Sequence, residues 1–180
     1  MMFVIMFVSI MVGSTLIIME KKSPARFRMF TTPTPDIYNI ISTVMTVIII
    51  MLIQILIIMT VAVYGFNISV FASWSSVILL LLITSFIFTF LGMCLGYIFS
   101  TEQTSILASI CVGSVFLLVS DLILPLETMP IMFQEIVSYT PFVMATHVLR
   151  QTINFSAQWQ DMAQAYGLLA VYAVALFLII

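Results

Sequence analysis

An all-α, polytopic membrane fold is what this sequence predicts, and three observations predict it. Of its 180 residues 63% are hydrophobic and 7% charged, with a mean hydropathy of +1.30, which leaves too few polar groups to cover a water-soluble globule. Apolar runs of bilayer length recur along the chain. Four of the five basic residues, Lys21, Lys22, Arg26 and Arg28, are confined to one short stretch between two such runs. With roughly 2.5–3.5 kcal/mol lost for each Lys or Arg at a helix centre, that stretch must lie outside the lipid, and the positive-inside bias makes it cytoplasmic.

A spanning helix needs about 20 apolar residues. Five segments meet that length: 1–19, 37–64, 74–99, 106–124 and 162–180. The first is read as a helix and not as a cleaved leader, because it has no charged start and is followed by Glu20-Lys21-Lys22 where a small-residue cleavage site would stand. The second and third exceed a perpendicular crossing and are expected to tilt or project. With loop 20–36 inside, 65–73 lies outside, 100–105 inside, 125–161 outside and the C-terminus in the cytoplasm. Charge agrees with this orientation: the outer stretch carries Asp121, Glu127, Glu135 and Asp161 against Arg150 alone.

Residues 125–155 are too polar to span and too apolar to form a free loop. Pro125 and Pro130 remove backbone donors and break helix, while Asp121, Glu127 and Glu135 add charge at intervals. Two short helices, 131–139 and 142 to about 154, that dip into the outer leaflet and return satisfy both constraints. In the second, Phe142, Ala145, Leu149 and Ile153 form an apolar stripe, while His147, Arg150, Gln151 and Asn154 share another face. His147 and Arg150 suit either a wetted helix face or contact with a substrate headgroup. Asp121 falls near the outer end of the fourth span, where an interfacial position suits it better than a place on a transport pathway.

Several chemistries are excluded. The chain has no phosphate-binding GxxxxGK motif, no HExxH and a single histidine, so neither nucleotide hydrolysis nor a known membrane-enzyme motif is present, and no cofactor is expected. Cys94 and Cys111 sit in apolar runs without metal-ligand spacing and read as buried thiols. The small net charge of −2 suggests no nucleic-acid partner. Gly92 and Gly96 form a GxxxG pattern in the third span, which admits close approach of another helix, within the chain or across a dimer seam.

The stretch Glu20-Lys21-Lys22-Ser23-Pro24-Ala25-Arg26-Phe27-Arg28-Met29-Phe30-Thr31-Thr32-Pro33 resembles the inner loop of type-2 ABC transporter permeases. Further pieces follow in that family's order: Leu91-Gly92-Met93-Cys94-Leu95-Gly96, Thr101-Glu102-Gln103, Leu124-Pro125-Leu126-Glu127-Thr128-Met129-Pro130, and Tyr139-Thr140-Pro141 running on to Leu149-Arg150. The chain departs from the pattern at Ser23-Pro24, where the family has Gly-Thr, and at Ser120-Asp121, where it has Ser-Gly. The family fold has six spans, and the five here correspond to its second through sixth, so the resemblance implies that the first is missing from this chain.

The resemblance also implies a function. Family permeases dimerise, with the same or another permease, in the cell membrane, and each docks through its inner loop onto a separate ATP-binding subunit whose closure drives export. On that basis Glu20, Lys21, Lys22, Arg26, Phe27 and Arg28 belong to the coupling loop, the basic residues facing an acidic partner surface and Phe27 anchoring in a groove. Asp121, Pro125, Glu127, Pro130, Pro141, His147 and Arg150 belong to the outer gate. The substrate class extends to drugs, lipids and polysaccharide-like polymers. The alternative is a non-transporting membrane scaffold that recruits a soluble partner through the same basic loop. An ion-coupled carrier would need several ionisable groups at mid-membrane depth, which the spans do not offer.

Overall fold

The computed structural model describes residues 1–23, 37–65, 74–120, 130, 134, 137–155 and 162–179. Among them the regular structure is entirely helical. In order, the elements are α1 (Met2–Lys22), α2 (Ile37–Thr60, passing into a wide π-type turn over Val61–Gly65), α3 (Trp74–Ile98), α4 (Glu102–Leu118), α5 (Pro141–Phe155) and α6 (Ala163–Ile179). Three stretches, Met2–Lys22, Met45–Gly65 and Trp74–Ile98, are long and apolar enough to cross a membrane, and α4 and α6 are shorter apolar helices. The all-α polytopic class predicted from composition is what the chain adopts.

Helix α4 starts at Glu102, four residues before the expected boundary. The reason is local. Thr101, extended at φ −121°, accepts from the Thr104 amide at 3.3 Å, so a side-chain cap replaces an apolar start. Of the expected helix 131–139, most residues lie outside the described set. The expected helix at 142–154 is present as α5, with Pro141 at its first position, where no backbone donor is needed.

Helix directions follow from side-chain pairs. Gly92 meets α1 at Ile10 and Gly96 meets it at Ser14 and Ile17, so α1 and α3 run parallel. Gln54 bonds to α1 at Ile5 and Ser9, while Val47 and Met51 cluster with Ile17, so α2 runs antiparallel to them. Helix α4 is also antiparallel, with Ser109 against Ser14 and Gly113 against the Phe7 ring. Helix α6 is parallel to α3, because Tyr166 bonds the Ser76 carbonyl at 3.0 Å and Phe177 stacks against Phe90 at 5.6 Å.

Helix α5 reaches only half-way along the bundle. Phe142, in its first turn, packs edge-on to Phe88 in the middle of α3, at 6.2 Å between centroids. Thr152, near its end, lies against Tyr166, which itself bonds Ser76 near the start of α3. Phe88 stands twelve residues along α3 from Ser76, about 18 Å at 1.5 Å per residue. The helix therefore runs from the middle of the bundle back to the Trp74 end. Phe88 and Phe142, both fully buried, join Ile5, Met6, Ile10, Leu80 and Leu81 in one core.

Lipid tails are as apolar as leucine, so helices in a membrane associate through packing and small residues. The α1–α3 seam is built that way. A methyl group on Gly13 would run into the Thr89 carbonyl, one on Gly92 into the Ile10 carbonyl, and one on Gly96 would come within 2.7 Å of the Ser14 carbonyl.

Candidate functional site

The end of the bundle that carries the lysines gathers the termini of three helices. Helix α1 ends at Lys22, α3 at Ile98 and α4 begins at Glu102. A helix leaves its last carbonyls without intrahelical donors. At the end of α3 two of them, Gly96 O and Tyr97 O, each accept a hydrogen bond from Lys21 Nζ at 2.9 Å. The same ammonium stands 5.0 Å from the centroid of the Tyr97 ring, within cation–π range. A positive charge also complements the negative end of the α3 dipole.

Lys22 faces the neighbouring helix. Its Nζ lies 3.9 Å from the Glu102 carboxylate, both side chains being about half exposed (52% and 51%). Glu102 stands in the first turn of α4, where a carboxylate is favoured. The two contacts differ in weight. A hydrogen bond from a charged donor is worth about 1.5–3 kcal/mol, fewer at a half-open site, whereas an exposed ion pair contributes about 0–1 kcal/mol. Lys21 holds this end together and Lys22 trims it.

Of the six residues predicted for the coupling loop, Glu20, Lys21 and Lys22 form the last turn of α1, with the Ser23 amide bonded to Glu20 O at 3.2 Å. Arg26, Phe27 and Arg28 lie outside the described residues, as do Asp121, Pro125 and Glu127 of the predicted outer gate. Lys21 turns onto the chain's own α3, a partner that spacing alone could not reveal.

Of the predicted outer-gate residues that are described, Pro130 is exposed and its carbonyl accepts from Gln134 N at 3.1 Å. Pro141 opens α5, whose buried side carries Phe142, Val143, Ala145, Thr146, Val148, Leu149 and Thr152. His147, Arg150 and Gln151 are all exposed on its opposite face. The structure thus brings His147 and Arg150 to one polar face and keeps them far from the lysine end. Gly92 and Gly96 are both covered by α1.

Buried polar contacts supplement the seam. Gln54 Nε2 donates to Ile5 O at 3.2 Å, and Ser9 Oγ donates to Gln54 Oε1 at 3.4 Å. Ser109 Oγ reaches Ser14 Oγ at 3.0 Å. Gln54 was missed by motif reasoning although a signal existed, since it is the lone polar residue between Val47 and Met59 and such a group has to find a partner inside the protein. Among the described residues no group of three His, Cys, Asp or Glu side chains converges to hold a metal ion.

Residues 1–180 match the model of the family described as ABC-2 family transporter protein, and the chain belongs to that family as the membrane permease component of an ABC transporter. No curated protein and no solved structure matches it.

Proposed function

We propose that this permease works as an exporter subunit of the cell membrane, driven by a separate ATPase that docks at the lysine end. The observation that carries the proposal is the family match across all 180 residues, on a chain whose α1 delivers a basic loop directly from that end. The end is cytoplasmic by the positive-inside bias. A C-terminus on the same side is part of the proposal, and the parallel run of α6 and α3 supports it. The permease pairs with a second copy or another permease, and its substrate is a drug, a lipid or a polysaccharide-like polymer. Arg26, Phe27 and Arg28 contact the ATPase, the guanidinium groups meeting acidic surface and the phenyl ring an apolar groove. The half-depth helix α5 caps the outer side of the path, with Asp121, Pro125, Glu127 and Pro130 in the segment leading to it and the polar face of His147 and Arg150 turned outward.

The test is co-purification with the candidate ATPase in detergent. Wild type should retain the partner, and an Arg26→Glu, Phe27→Ala, Arg28→Glu variant of equal membrane abundance should lose it. If neither form binds any ATPase, the exporter assignment fails and the scaffold alternative takes its place.

A further inference from the structure

We infer that Lys21 is a positioning residue for energy coupling: it makes the ends of α1, α3 and α4 move as one body when the loop after α1 is displaced. The inference rests on the exporter reading and deepens its site. Lys21 is the penultimate residue of α1, and beyond Lys22 the backbone turns extended at Ser23 (φ −66°, ψ 130°), so a push on the loop reaches the last turn of α1 first. From that turn the ammonium grips the two terminal carbonyls of α3 at 2.9 Å, with the Tyr97 ring beside it.

Gly96 makes the grip stiff. Without a side chain it lets α1 approach until its position is 2.7 Å from the Ser14 carbonyl and 2.9 Å from Ile17 Cβ, measured from where a methyl would sit, and its own carbonyl is one that Lys21 holds. Backbone packing and a charged hydrogen bond therefore meet at one residue. Lys22 adds Glu102 and thereby the start of α4.

Helix α2 is attached differently. Among the described residues its polar tie to α1 is Gln54, which reaches Ile5 and Ser9 toward the opposite end, while nearer the lysines it meets α1 and α3 through the apolar cluster of Val47, Met51, Ile17 and Met93. A loop pulled by a closing ATPase would then carry the ends of α1, α3 and α4 together, and the displacement would appear against α2. Small helix shifts of about 1–2 Å at such interfaces are a known route of switching.

Paired spin labels test this in the full permease–ATPase complex, in a Cys94→Ser, Cys111→Ser background diluted with unlabelled permease. One pair, Met19→Cys with Gln103→Cys, lies within the clamped group. The other, Met45→Cys with Gln103→Cys, spans from α2 to it. With ATP and vanadate the wild-type Met19–Gln103 distance should stay fixed while Met45–Gln103 shifts by about 2 Å. In Lys21→Met the ATPase should still bind, but Met19–Gln103 should now shift or broaden with nucleotide, and Lys21→Arg should restore it. A purely structural lysine would lower thermal stability without any nucleotide-dependent separation. Binding with an unmoved Met19–Gln103 pair in Lys21→Met overturns the inference alone, as does loss of ATPase binding in that variant, which would make Lys21 a partner contact. A wild type that binds no ATPase overturns the exporter reading and this inference with it.

Discussion

Gly92 lies so close to the Ile10 carbonyl that a methyl group in place of its hydrogen would collide with α1 backbone. Backbone cannot rotate away as a side-chain tip can, so the helices must separate. Gly92→Ala is expected to destabilise the protein by about 1–3 kcal/mol, the usual range for overpacking. Gly167 in α6, with nothing within 4 Å, is the control, and Gly167→Ala should be neutral or slightly stabilising. Unfolding in mixed detergent micelles, comparing both variants with wild type, measures the difference.

Gln54 and Ser9 form a buried amide–hydroxyl pair, and its energy is expected to be small. Polar pairs within membrane helices average about 0.6 kcal/mol in double-mutant cycles, because the unfolded helices also find partners. A Gln54→Leu and Ser9→Ala cycle should give a coupling of that size, well under the Gly92→Ala effect. A coupling larger than the glycine effect would show that this buried hydrogen bond outweighs the close packing of the α1–α3 seam.

Phe142 anchors the half-depth helix against Phe88, and both rings are fully buried. Phe142→Ala removes most of that contact at a mid-bundle position and should cost about 3 kcal/mol, the lower end of the range for buried phenylalanine. The consequence is local undocking of α5. A Thr146→Cys probe, 8% exposed in the parent, should react slowly with a water-soluble thiol reagent and much faster when combined with Phe142→Ala.

Thr101 caps α4 beside the lysine end. Thr101→Ala should cost about 0.5–2 kcal/mol, whereas Thr101→Asp should retain most of the stability, since aspartate caps equally well. Amide hydrogen exchange over residues 102–105 reads the fraying directly, and equal exchange in Thr101→Ala and wild type would rule out a stabilising cap.

Much of the fold was legible because a bilayer imposes a length and a polarity on every span. Helices α1, α2 and α3 were visible as apolar runs, and the buried stripe of α5 as Phe142, Ala145 and Leu149 at helical spacing. The start of α4 was not, because a threonine cap overrides the apolar boundary that hydropathy reads. In the candidate site, the cluster of basic residues was legible but the partner of Lys21 was not. Its acceptors are main-chain oxygens 75 and 76 residues away, and every residue type carries such an oxygen.

Composition and spacing by themselves determined the all-α membrane class and the apolar runs that become α1, α2 and α3, since each follows from transfer energies that add along the chain. Only the tertiary structure decided that α1 packs parallel to α3 through glycines on both helices, that α5 begins at mid-bundle beside Phe88, and that Lys21 closes the end of α3. Those features depend on which backbones can approach one another, and that is settled by close packing among all the helices at once.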